Sequence, residues 1–217
     1  MQDRSNERAR MVASQIEARG VRDARVLAAM REVPREVFVA PVWSDDAYAD
    51  RPLPIGKGQT ISQPYIVAAM LEAARIGPED RVLEVGAGSG YAAALAGRLG
   101  RSVIAVERLA TLAEAAQRHI AALGIGNVEV RVGDGSLGAA ADAPFDVILV
   151  AASGPAVPEA LRRQLAVGGR LVLPVGERFG PQRLLRITRT GAEAFAEEAL
   201  EPVSFVPLIG EGGWQEG

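Results

Sequence analysis

From residue 62 onward, short apolar runs alternate with helical ones, and this alternation constrains the fold more than any other feature of the chain. Strand-like runs fall at residues 81–85, 103–106, 128–132, 146–151 and 170–175. Helical spacing falls near 90–99, 110–123 and 158–165, and Ser62-Gln63-Pro64 opens a further helix carrying Ile66, Val67, Met70 and Leu71. Strands apolar on both faces, each followed by a helix, form a parallel sheet covered on both sides. Residues 184–189 and 194–209 read as two more strands, antiparallel to the others. The expectation is an α/β, Rossmann-like, doubly wound, mostly parallel seven-stranded sheet.

The first 61 residues lack this alternation. Residues 3–19 read as a helix with Met11, Val12 and Ile16 on one face and Gly20 as its stop. Asp23 caps a second helix carrying Val26, Leu27 and Met30, which ends before Pro34. Residues 40–61, rich in Pro, Gly and Asp, have no periodicity and read as a long loop, the kind that tends to be functional in a compact domain. The chain is therefore read as one domain, 1–217: a helical N-terminal portion, 1–61, on a Rossmann-like core, 62–217.

The sharpest motif is Val-Leu-Glu-Val-Gly-Ala-Gly-Ser-Gly-Tyr at residues 82–91, a strand running into a glycine-rich turn and a helix. Glycines there let the backbone turn tightly and let a ligand approach amides at a helix N-terminus. The spacing of Gly86, Gly88 and Gly90 is G-x-G-x-G, not the G-x-G-x-x-G of dinucleotide binders. Glu84 just before it would serve a pyrophosphate poorly and an ammonium well. Glu107 ends the next strand, where a carboxylate accepts ribose hydroxyls. Asp134, in Gly133-Asp134-Gly135 after the third strand, is placed to accept from an adenine amino group. Each feature alone also fits a plain strand–helix turn or a strand-end acid, and Glu84 also fits an acceptor for loop amides. Together they describe a nucleoside bearing an amino acid rather than phosphates, which is S-adenosylmethionine, held by Glu84, Gly86, Gly88, Gly90, Glu107, Asp134 and Gly135.

Composition narrows the chemistry. The 217 residues include no Cys, one His (His119) and one Lys (Lys57) among 24 basic residues. Thiolate chemistry, disulfides and multi-His metal sites are excluded, so no metal is expected. The net charge of -3 is concentrated at the end, where residues 190–217 hold six Glu and no basic residue. An acidic tail disfavours nucleic acid as partner. The N-terminus carries charges of both signs without an apolar run, and no stretch approaches a membrane span, so the expected setting is cytoplasmic, with no membrane partner.

The stretch Pro-Leu-Pro-Ile-Gly-Lys-Gly-Gln-Thr-Ile-Ser-Gln-Pro-Tyr at 52–65 closely resembles the signature loop of protein-L-isoaspartate O-methyltransferases. So do Val33-Pro34-Arg35-Glu36-Val37-Phe38-Val39, the 82–91 motif, the Gly-Asp-Gly turn, Pro144-Phe145-Asp146 and Phe205-Val206-Pro207-Leu208. The resemblance runs from about residue 10 to Trp214. It implies a class I S-adenosylmethionine methyltransferase of proteins. Such an enzyme esterifies the free α-carboxylate of L-isoaspartyl residues in damaged proteins and peptides. The ester then passes through a succinimide toward normal aspartate. The family's functional serine falls on Ser62, with Gln59, Thr60 and Ile61 lining the substrate site, and a monomer is implied. Two departures stand out: Gly138-Ala139 where members often carry Gly-Trp, and Ala151-Ala152-Ser153 where many have Thr-Ala-Ala. Ala139 is expected to loosen the adenine side.

This reaction suits the inventory. A carboxylate is already ionised at neutral pH and needs no general base. The residues alone also admit Ser62 as a helix cap before Pro64. His119 reads as an exposed helical residue, Lys57 as a solvated loop residue or an attractor of acidic substrate, and Trp43, Tyr48 and Trp214 as anchors. The sequence also admits two rival functions: a class I methyltransferase for another carboxylate substrate, and a non-catalytic binder of damaged proteins.

Overall fold

The computed structural model describes residues 3–216. Its first helix, α1 (Ser5–Met11), runs on through a wider π turn at Val12–Ile16 and a tight 3-10 turn at Glu17–Arg19, and stops where Gly20 takes φ +107°. The Asp23 side chain accepts the amides of Arg25 and Val26 and so caps α2 (Ala24–Glu32).

Residues 40–61 are not a plain loop. After a 3-10 segment at Pro41–Asp46 they form a hairpin of β1 (Leu53–Gly56) and β2 (Gln59–Ile61). The turn is Lys57-Gly58, with φ of +54° and +71°, the positive pair that matches the twist of two antiparallel strands. Lys in place of the usual Asn or Asp hides this turn from a sequence reading. Nor does Ser62 cap the next helix, α3 (Pro64–Ala74), whose flanking residue is Gln63. Pro64 brings no amide, and the next one, on Tyr65, donates to Asp50 Oδ1 at 3.2 Å.

The sheet follows as β3 (Arg81–Val85), β4 (Ser102–Glu107), β5 (Val128–Val132), β6 (Phe145–Val150), β7 (Leu165–Gly176), β8 (Gln182–Arg189) and β9 (Phe195–Val203). The spatial order is β5-β4-β3-β6-β7-β8-β9, parallel up to β7 and antiparallel for β8 and β9. Helices α4 (Tyr91–Leu99), α5 (Ala110–Ala122) and α6 (Glu159–Gln164) connect the strands. The expected strand at 194–209 ends early, at Val203. Pro202 and Pro207 have no amide to continue a ladder, and residues 204–209 leave the sheet.

Alternate residues of β3 face opposite ways, Val82 into one core and Leu83 and Val85 into the other. The first core joins Met11, Ile16, Met30 and Leu71 to Leu95 and Val103, so the N-terminal helices share one apolar interior with the sheet. The second gathers Ile148, Leu161, Leu171 and Ile187. Each such side chain, fully buried, contributes about 1.5–3 kcal/mol. Because β3 pairs with β4 on one side and β6 on the other, the strand order reverses there, and a crevice opens at the carboxyl ends of these strands. Among the described residues no helix is long and apolar enough to cross a membrane.

Candidate active site

The crevice is lined by the glycine loop, by the carboxyl ends of β3 and β4, and by β2 and the residue after it. Gly86, Gly88 and Gly90 all take positive φ. The amides of Gly86 and Ala87 donate to Val106 O at 2.8 and 3.2 Å. Those of Gly88 and Leu109 donate to Glu107 Oε2 and Oε1 at 2.9 and 3.0 Å. Glu107 is therefore buried and held, and each oxygen keeps a further lone pair for the cleft. Gly88 is also closely covered. A Cβ there would stand 3.2 Å from Ile55 Cδ1, so the β1–β2 hairpin lies directly on the glycine loop. Gly90 does not line the cleft. A Cβ there would meet Ala116 Cβ at 3.1 Å, so this glycine seats α4 against α5.

Glu84 is 1% exposed, and its Oε2 has no hydrogen-bond partner. Burial, and then the nearby Glu107 charge, push its pKa up to about 8. An orphaned carboxyl oxygen beside a cleft is suited to a donor that brings positive charge. The residues present thus fit the amino end of S-adenosylmethionine, with Glu107 free to accept hydroxyls. Gly135 also lines the cleft; a Cβ there would run into Val85 Cγ1 at 2.6 Å.

Asp134 stands apart. It does not line the cleft. Its Oδ1 accepts the amide and hydroxyl of Ser136 at 2.9 and 2.6 Å, and its Oδ2 accepts the amide of Glu211 at 2.8 Å. Partial burial works to raise its pKa, but these hydrogen bonds outweigh it and hold the carboxyl below its usual range. Asp134 ties the C-terminal segment to the sheet, with three hydrogen bonds already on its carboxylate. Ser136 Oγ accepts the Gly212 amide at 2.9 Å and Trp214 Nε1 donates to Ser153 O at 3.0 Å, so Trp214 is an anchor. This places Val206, Pro207, Leu208 and Ile209 across the cleft as a wall that the sequence reading assigned to a strand. Ala151 and Ala152 complete it. Ala139, half-buried, donates its amide to Gln164 Oε1 at 2.8 Å and does not reach the cleft.

Gln59, Thr60, Ile61 and Ser62 form the opposite wall. A second groove, bounded by Pro52, Gln63, Ile66, Glu201 and Phe205, shares Thr60, Ser62, Ala151 and Val206 with the first. The two cavities meet at Ser62, whose hydroxyl makes no hydrogen bond among the described residues.

Lys57, His119, Tyr48 and Trp43 lie outside this junction. Lys57 is exposed at the hairpin turn. His119 is half-buried, not exposed. Its Nδ1 lies 2.9 Å from Ser89 O and its ring edge meets Phe38 at 5.5 Å, so it supports the glycine loop from behind. Tyr48 is buried, bonded to Glu36 and Arg8, and Trp43 packs on the first core; both anchor the segment before the hairpin. Among the described residues no group of three or more His, Cys, Asp or Glu side chains is placed to hold a metal ion.

Residues 6–213 match the family model described as protein-L-isoaspartate(D-aspartate) O-methyltransferase. A protein-L-isoaspartate O-methyltransferase 1 of Rhodopseudomonas palustris (strain HaA2) is 59% identical over 96% of this chain and 85% of its own. One of Methylorubrum populi is 60% identical over 93% of this chain and 94% of its own. Among solved structures, a putative protein-L-isoaspartate O-methyltransferase of Plasmodium falciparum in complex with S-adenosyl-L-homocysteine superposes with a TM-score of 0.81. It is 26% identical, over 93% of this chain and 98% of that one. With a family model covering nearly the whole length and relatives near 60% identity, this chain belongs to the protein-L-isoaspartate(D-aspartate) O-methyltransferase family.

Proposed function

We propose that this chain transfers a methyl group from S-adenosylmethionine to the free α-carboxylate of L-isoaspartyl residues in damaged proteins and peptides. The ester then closes to a succinimide and hydrolyses in part to aspartate. The observation that carries the reading is the meeting of two cavities at Thr60 and Ser62, one ringed by the glycine loop, Glu84 and Glu107, the other open to a peptide. The names of the relatives, and the S-adenosyl-L-homocysteine in the Plasmodium structure, support the same activity.

The cofactor, when bound, supplies an electrophilic methyl on a sulfonium that leaves without a proton. The protein's part is to hold and align. Glu84 meets an ammonium, Glu107 accepts ribose hydroxyls, and Gly86, Gly88 and Gly135 let the backbone approach the ligand. Ser62 donates one neutral hydrogen bond to the substrate carboxylate, with Gln59, Thr60 and Ile61 beside it. A neutral donor positions the carboxylate without the tight ion pair that would blunt its nucleophilicity. Two features support this: there is no Arg between Arg51 and Arg75, and Arg19 at the groove is taken up by Asp50 at 2.6 Å. Alignment of this kind is worth about 7–11 kcal/mol in well-oriented reactions. Asp134 acts through the C-terminal segment and Gly90 through helix packing.

The same reading treats residues 1–217 as one domain, supported by the core shared between the N-terminal helices and the sheet. It takes the protein as a cytoplasmic monomer without nucleic-acid or membrane partners, which light scattering and cell fractionation test. The deciding experiment is methyl transfer to an isoaspartyl peptide and its aspartyl twin. Transfer to the first alone is expected. Equal transfer would point to a methyltransferase of other carboxylates, and none, with binding retained, to a non-catalytic binder.

A further inference from the structure

The groove that meets the cofactor cleft at Ser62 carries two charged side chains on its wall, Arg19 and Glu201. They differ in how far they are already engaged. The Arg19 guanidinium binds Asp50 Oδ2 at 2.6 Å and lies over the Tyr65 ring at 3.4 Å, so a carboxylate and an aromatic face occupy it. Glu201 takes part in no ion pair among the described residues. Its neighbours on β9 do: Glu197 faces Arg162 at 3.9 Å, and Glu198 pairs with Arg186. The hydrogen bond Glu201 accepts from Tyr65 Oη is 3.5 Å long, at the outer limit of such a contact.

Its place in the fold puts Glu201 where a peptide passes. β9 is antiparallel to β8, and β8 to β7, so β9 ends at the same edge of the sheet as β3 and β6. Glu201, near that end and half-buried, borders the groove whose other wall holds Thr60 and Ser62. An extended peptide advances about 3.3 Å per residue. With its isoaspartyl carboxylate at Ser62, its neighbouring side chains fall along this wall, and a Lys or Arg stem spans the remainder.

We propose that Glu201 is a specificity-determining residue of this site: it favours isoaspartyl peptides with Lys or Arg within two residues of the isoaspartyl position and disfavours those with Asp or Glu there. The inference rests on the repair reading above. With Arg19 paired to Asp50, no other cation among the described residues lines this wall to offset the repulsion between Glu201 and an acidic neighbour.

The test uses isoaspartyl peptides identical except for Lys, Gln or Glu at one of the two positions on either side, with aspartyl twins as controls. In low salt, the kcat/KM ratio of Lys to Glu peptide is expected to reach about three- to tenfold at one or more positions, the scale of exposed charge pairs. Salt near 0.5 M is expected to shrink it, as screening requires. Glu201→Gln is expected to bring the ratio near one and Glu201→Lys to invert it. Methylation of the isoaspartyl peptides with a flat wild-type ratio, or an unchanged ratio in Glu201→Gln, overturns this inference alone. Methylation of none of them, or of the twins equally, overturns the repair reading and this inference with it.

Discussion

Glu107 Oε2 accepts the amide of Gly88 at 2.9 Å, so the carboxylate that ends β4 also fixes the glycine loop that ends β3. One side chain thus shapes the loop and faces the cleft. Replacing it removes both contributions.

Glu107→Ala is expected to raise the apparent cofactor KM by about tenfold to a hundredfold, since hydrogen bonds to a charged group contribute about 1.5–3 kcal/mol. The peptide KM is expected to move far less. Glu107→Gln, which keeps one acceptor oxygen, is expected to fall between. Steady-state kinetics with each substrate varied in turn checks this, and an unchanged cofactor KM would mean the ribose is held elsewhere.

Glu84 makes the ligand-free protein sensitive to alkali. Its pKa is about 8 in the fold against 4.5 for an ordinary Glu. Between those values the unfolded chain binds fewer protons at this group, so its stabilising share is complete below about 4.5 and lost as pH rises through 8. Glu84→Gln is therefore expected to gain in Tm relative to wild type as pH rises through this window. Cofactor binding near neutral pH is expected to release up to one proton from wild type and none from Glu84→Gln. Calorimetry in buffers of different ionisation heat measures that release, and equal release from both proteins would remove Glu84 from the ammonium site.

Ser62 is placed to donate a neutral hydrogen bond where the two cavities meet. Ser62→Ala is expected to lower kcat/KM for the isoaspartyl peptide about three- to tenfold, the worth of one such bond, while leaving cofactor KM alone. Ser62→Arg is expected to be inactive. An active Arg variant would show that an ion pair to the nucleophile is tolerated.

Gly135 stands where any Cβ would meet Val85 Cγ1 at 2.6 Å. Gly135→Ala is expected to cost about 1–3 kcal/mol, as overpacking does, and to lift the loop after β5. Thermal unfolding with and without S-adenosylhomocysteine reads both effects. A Tm equal to wild type would mean that Val85 yields freely.

Asp134 holds Ser136 and Glu211 by three hydrogen bonds. Asp134→Ala is expected to expose the 205–216 segment to limited proteolysis before it alters cofactor KM as much as Glu107→Ala does. A large KM effect without new cleavage would assign Asp134 the adenine contact.

Much of the site is written in short stretches. The Asp23 cap, the glycine loop and the acid ending the next strand each depend on residues a few positions apart, and each lies where local spacing puts it. Lys57 shows the limit of such reading, since a residue that adopts positive φ only under the constraint of a hairpin carries no advance sign of it. Asp50 is another case: the helix it caps begins 14 residues later.

The sequence by itself determined the alternating strands and helices, the S-adenosylmethionine-type loop with its two acids, and the family. Hydrophobic period, glycine conformation and strand-end chemistry are local and survive without neighbours. Only the tertiary structure decided that β9 takes the sheet edge beyond β8, that residues 206–209 wall the cleft, that Asp134 serves Glu211, and that Glu201 stands beside Ser62's groove. The last two join residues 77 and 139 positions apart. They form only when the sheet has closed its register and buried its two cores.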